Sequence, residues 1–135
     1  MAIFDTFGIA GSGLMTHRKW LDAVSDNIAN VNTVRRTDED AFQQRMIIAE
    51  AVEYGTGEGG VRAARAEFGS TEGRMVYEPD HPLADAEGNV LYPDIDLGSQ
   101  MTQLIMAQRG YQANLAVVDR ARESYQAALS LGRGA

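Results

Sequence analysis

Apolar residues recur at alternating steps of four and three near the end of the chain. They are Leu97, Met101, Leu104, Gln108, Tyr111, Leu115, Val118, Arg122, Tyr125 and Leu129. Eight of the ten are large and apolar or aromatic, so the spacing predicts one long α-helix with a narrow, coiled-coil-like seam. The same count from the other end gives Ile3, Phe7, Ala10, Leu14, His17, Leu21, Val24, Ile28 and Val31, seven of them large and apolar. That predicts a second helix of matching period. Two such helices bury each other if the segment between them lets the chain double back. The fold class expected is mainly α with a small β part (α+β): two long terminal helices packed as a coiled-coil-like hairpin, with a short β-hairpin and loops between. The segments are 1–33, 34–96 and 97–135.

The first helix is uneven. Gly8, Gly11 and Gly13 lie within six residues, each costing roughly 0.8–1 kcal/mol relative to Ala in a helix interior. Leu14 to Ile28 contains neither Gly nor Pro. Residues 1–13 are therefore expected to order only against neighbouring molecules. His17 reads as a polar seam residue and Trp20 as packing beside the seam. Asn27, Asn30 and Asn32 close the helix, since Asn tolerates the left-handed conformation and bonds freed carbonyls. At the far end, Asp94 or Asp96 caps the last helix and Gly132 stops it.

The middle is harder to read. Residues 42–51 fit a short strand or a short helix, and periodicity leaves that open. Gly55 to Gly60 reads as a loop; it lacks the Lys-Ser/Thr and the strand–turn–helix frame of a phosphate cradle. Gly60 to Glu67 and Gly73 to Glu78 read as two short strands joined in a hairpin. Pro79 and Pro82 fix an extended path, and Glu87-Gly88-Asn89 a turn. Asp80, His81, Asp85 and Glu87 are the one set with metal-ligand chemistry. With no second histidine and no Ca²⁺-loop spacing they read as a Pro-bounded loop.

Charge narrows the functions. The net charge is −7, which opposes binding by phosphate neutralisation, so no nucleic-acid partner is expected. Residues 38–96 carry net −10, against +1 before them and +2 after. There is no cysteine, which removes disulfides, thiol nucleophiles and Cys-based metal sites. No run suits a membrane span, and Met1-Ala-Ile-Phe-Asp5 does not read as a secretory signal. No Ser, His and acid fall into a triad frame. Neither an enzyme nor a cofactor is expected.

Three stretches carry a resemblance. Ser12-Gly13-Leu14 followed by Asn27-Ile-Ala-Asn-Val-Asn-Thr33 resembles the N-terminal signature of bacterial flagellar rod and hook proteins. Glu78-Pro-Asp-His-Pro-Leu-Ala-Asp85, Glu87-Gly88 and Tyr92-Pro-Asp-Ile-Asp-Leu97 resemble the segment before the last helix in the proximal-rod members of the flagellar basal-body rod proteins. Arg109-Gly-Tyr-Gln-Ala-Asn114 and Leu115-Ala-Val-Val118 resemble the shared element of the last helix. The departure is at 34–45, where Phe42-Gln-Gln-Arg45 replaces a Pro-Tyr-Arg-Arg-like element.

The resemblance implies a structural subunit of the proximal rod, the driveshaft crossing the periplasm. Its partners would be copies of itself, other rod proteins and the flagellar type III export apparatus, which needs no cleavable signal. A soluble coiled-coil adaptor or export chaperone is the alternative with the same stripes. Ordering a residue costs about 1–2 kcal/mol and burying a Leu or Val side chain returns about 1.5–3. A narrow stripe therefore barely holds its own helix, and a marginal monomer with a stable assembly is expected. Candidate residues for the subunit interface and helix register are Asn27, Asn30, Asn32, Gln108, Arg109, Tyr111, Asn114 and Arg122. Some of them can equally bond within the subunit.

Overall fold

Two antiparallel helices form a stem. In the computed structural model, which describes residues 3–54 and 58–133, α1 runs Ile3–Asn30 and α2 runs Leu97–Arg133. At 1.5 Å per residue α2 is roughly 55 Å long. Contacts along the stem fix the direction. The Phe4 and Tyr125 rings lie 6.2 Å apart at one end. The Trp20 indole donates to Gln103 at 3.4 Å further along, and Asn27 donates to Gln100 at 3.0 Å at the other end.

Local chemistry sets the helix ends. Asn30 donates to the carbonyl of Asp26 at 2.8 Å and accepts from Thr33 Oγ1 at 3.1 Å, closing α1. Asp96, rather than Asp94, caps α2: its carboxylate accepts the Ser99 N–H at 2.7 Å. Bonds from Ser99 hold the Asp96 carboxyl below the usual carboxylate range. α1 runs from Ile3 through all three glycines; Gly8 and Gly11 face open space and Gly13 serves a close contact. One boundary expectation changes. α2 continues past Gly132 to Arg133. Residues 1–2 and 134–135, at the outer ends of the expected segments, lie outside the described residues.

The hairpin pairing differs from the sequence reading. Residues 42–51 resolve as strand: β1 (Arg45–Tyr54) pairs antiparallel with β2 (Glu58–Phe68). A second, shorter pair joins β3 (Arg74–Tyr77) to β4 (Asn89–Tyr92). The stretches 60–67 and 73–78 therefore belong to different sheets. The Gly-rich run expected as a loop lies between β1 and β2; of it, residues 55–57 are outside the described residues and Gly59 and Gly60 are already strand. Gly73, with φ +61°, lies in the turn before β3, whose partner is β4 and not β2. The β1–β2 register steps between Ile48 and Ala49, leaving Ala64 with no opposite residue.

The β1–β2 hairpin lies on α1, whereas β3–β4 sits at the base of the stem without direct contact to either helix. An isolated bridge between Arg35 and Leu91 adds the chain leaving α1 to that base. Val90, Leu91, Pro93 and Ile95 are buried there, together with Ala41. No helix of the described residues is long and apolar enough to cross a membrane.

Candidate assembly surface

Only four of the ten residues in the expected α2 stripe face α1. Leu104, Tyr111 and Val118 are half-buried, and Tyr125 meets Phe4. The other inward positions are one residue away from the expected ones: Gln100, Ala107, Asn114 and Ala121. Gln100, Ala107 and Ala121 are buried. These residues are small or carry amides, so a count of large apolar residues passes over them. Small side chains let the two backbones approach closely. Gly13 sits under the Asn114 amide; a Cβ there would come within 2.6 Å of Asn114 Oδ1. Gly110 sits under the His17 ring, which a Cβ would overlap. His17 Nδ1 in turn donates to the Gly13 carbonyl at 2.8 Å.

The remaining stripe points out. Leu97, Met101, Ile105, Met106, Leu115 and Leu129 are each 43–56% exposed. Gln108 and Arg122 are exposed on this side of the helix too, so they do not interrupt the intrachain seam as the count implies. From residue 97 to 118 the only charged side chain is Arg109. Large exposed apolar side chains gathered on one helix in this way mark interaction sites. α1 adds Phe4 and Met15, both about two-thirds exposed. A groove of about 360 Å³ runs between α1 and the hairpin, lined by Phe4, Gly8, Ser12, Val52 and Val61 among others.

The candidate residues separate into two groups. Asn27 is fully buried and joins three elements of the same chain. Its amide donates to Gln100 at 3.0 Å and to the Arg45 carbonyl at 2.9 Å, and its oxygen accepts the Arg45 N–H at 2.8 Å. Asn114 is half-buried against Gly13 and donates to the Gly110 carbonyl at 2.9 Å. Asn30 caps its own helix, and Tyr111 is half-buried in the stem. Asn32, Gln108, Arg109 and Arg122 are exposed. Sequence reasoning misses two residues with clear roles. Ser12 accepts the Val61 N–H at 3.1 Å while donating to the Ile9 carbonyl at 2.7 Å, pinning β2 to α1. Gln100 is the buried partner of Asn27; a lone Gln on a polar helix face carries no signal.

The loop of Asp80, His81, Asp85 and Glu87 has other work. The Asp85 carboxylate accepts the N–H groups of Asn89 at 2.7 Å and Glu87 at 3.1 Å, and the Thr37 hydroxyl at 3.0 Å. The Asn89 backbone bond leads in holding its carboxyl below the usual carboxylate range. His81 Nδ1 accepts the Leu83 N–H at 3.1 Å. Among the described residues no three His, Asp or Glu side chains converge as a metal site requires.

Comparison with known proteins agrees with this architecture at both ends of the chain. Residues 7–35 match the family model described as flagella basal body rod protein. Residues 86–131 match that of the flagellar basal body rod FlgEFG protein C-terminal region. The flagellar basal-body rod protein FlgC of Salmonella typhimurium is 33% identical over 134 residues, spanning 98% of this chain and all of that protein. The FlgC protein of Borreliella burgdorferi is 31% identical over 153 residues, spanning 99% of this chain and all of its own. That of Bacillus subtilis is 26% identical over 150 residues, spanning 98% of this chain and all of its own. With identity at this level sustained over almost the full length, the chain belongs to the FlgC family of flagellar basal-body rod proteins.

Proposed function

We propose that this chain is a structural subunit of the proximal rod of the flagellar basal body, built into the driveshaft used in motility. The observation that carries this reading is the outward apolar stripe of α2, from Leu97 to Leu129, on a chain similar over its whole length to rod proteins. Residues 1–33 and 97–135 would form the axial core. The acidic segment 34–96 would face outward or toward the next subunit. Copies of this chain and other rod proteins would cover the outer stripe. In this reading the protein works by complementary surfaces, performs no catalysis and reaches the periplasmic space through the flagellar type III export apparatus. Asn32, Gln108, Arg109 and Arg122, exposed on the subunit, are the polar candidates for contacts with neighbours.

The test is a strain lacking the gene, with its basal bodies imaged by electron microscopy. Arrest before the rod is complete is expected, with restoration by the wild-type copy; intact rods would refute the reading. A closed coiled-coil adaptor would bury the same stripe in a finite dimer. Light scattering separates the two, since the rod reading requires open-ended association as concentration rises.

A further inference from the structure

We infer that Asn27 is a positioning residue for assembly: it locks the β1–β2 arm onto the helical stem in one pose before any neighbour is met. An interface residue has bonding capacity to spare in the free subunit. Asn27 has almost none. A side-chain amide offers two donors and one oxygen. Both Asn27 donors are engaged, one by Gln100 and one by the Arg45 carbonyl, and the oxygen holds the Arg45 N–H. The residue is fully buried, with no donor left to offer a second chain.

The three partners belong to three elements. Asn27 is near the end of α1, Gln100 in the first turn of α2, and Arg45 is the first residue of β1. Both backbone groups of Arg45 go to this one side chain, so it mimics the strand that would otherwise pair there. The Arg45–Asp26 ion pair beside it, at 2.9 Å, joins side chains about 40% exposed and adds little. Ser12 supplies the second peg, holding the backbone of Val61. Fifteen residues separate Ser12 from Asn27 along α1, roughly 22 Å. One peg would let a two-stranded arm pivot, and two fix its direction. Part of the sequence signature at Ser12 and Asn27 is thereby explained within the subunit.

The inference rests on the assembly reading for its cellular outcome only, because the arm's pose is measured on the isolated subunit. Asn27→Asp keeps the acceptor for the Arg45 N–H and removes both donors. Arg45→Pro removes the N–H from the other side, at a strand-initial position that tolerates Pro. Arg45→Ala keeps that N–H and loses only the side chain. Amide exchange is followed by NMR on labelled protein. In the wild type, both Asn27 side-chain amide protons should be resolved and slow to exchange. In Asn27→Asp and in Arg45→Pro, exchange at Met46 and Glu67 should quicken by roughly tenfold to a hundredfold, the range for stranding buried polar groups. The stem amides should keep their protection, and Arg45→Ala should stay within about twofold of the wild type on the same scale.

Hairpin exchange unchanged in both Asn27→Asp and Arg45→Pro overturns the inference. So does loss of stem and hairpin protection together in both, which would make Asn27 a support of the whole fold. In cells, Asn27→Asp should stop rod assembly; a freed arm with normal rods also overturns it. Intact rods in the deletion strain would count against the assembly reading alone.

Discussion

The base of the stem and its far end are made from the same two helices, yet they differ in what covers them. At the base, Val24 and Asn27 of α1 and Gln100 and Ala107 of α2 are buried, and so are Val90, Leu91 and Ile95 in the neighbouring β3–β4 region. At the far end, Phe4, Ile9, Leu115, Val117, Tyr125 and Leu129 are all exposed. Helices made of one heptad-like pattern thus reach two different states. Between the helices the base is covered by its own chain, although Leu97 and Met101 point outward there too. The far end has the residues of a core without the cover, so its cohesion is left for an assembly to supply.

The largest effect should come from paired changes on the outer stripe, which runs from Met101 at the base to Leu115 at the far end. Met101→Glu with Leu115→Glu should abolish swimming, whereas the stability of the isolated subunit in urea should move by no more than about 0.5 kcal/mol. Unfolding of that subunit would mean the stripe is core after all. The next largest effect belongs to the base. Gly73 holds a left-handed φ of +61°, and a Cβ there would stand 2.5 Å from the Tyr92 carbonyl oxygen and 2.6 Å from Ala41 Cβ. Gly73→Ala should destabilise by roughly 2–4 kcal/mol in denaturant unfolding, combining left-handed strain with overpacking.

A glycine at the far end should behave in the opposite way. A Cβ added at Gly8 would meet nothing within 4 Å. Gly8→Ala should therefore raise stability by roughly 0.8–1 kcal/mol in a thermal melt, through helix propensity alone. A loss instead would place a hidden contact at that end. The smallest effect is electrostatic and again belongs to the base. Asp85 and Asp96 are both held below the ordinary value of 3.8 in the fold. Their stabilisation is present above that value and lost as pH falls through the lower folded one. Acid titration should show this loss, and Asp85→Asn should flatten part of it.

The stem's length and direction are legible in the sequence, because Leu104, Tyr111, Val118 and Tyr125 do turn inward. The phase of the whole stripe is not. Leu97, Met101 and Leu115 look like seam residues by hydrophobicity, but the α1–α2 contact is set by Gly13 and Gly110, where close approach outranks side-chain size. The hairpins are misjoined in a sequence reading for a related reason. β1 is ambiguous on its own, and what identifies it is a partner eleven residues long whose pairing no local pattern reveals. The Asn27 junction is half legible: the residue stands out, while Gln100 and the backbone of Arg45 become visible only in three dimensions.

The unopposed Ala64 has a consequence of its own. Along a strand, successive backbone groups turn to opposite edges. Arg45 turns away from β2, toward Asn27, and so does its opposite residue Phe68 turn away from β1. Counting back from Phe68 in twos would bring residues 62 and 60 to that outer edge and leave Val61 facing β1. The extra residue reverses the parity, and Val61 reaches Ser12. The arm is therefore a counted object. Residues added to β2 between Val61 and Phe68 one at a time would turn the N–H that meets Ser12 toward β1, and residues added in pairs would keep it outward, so that spacing can change only in even steps.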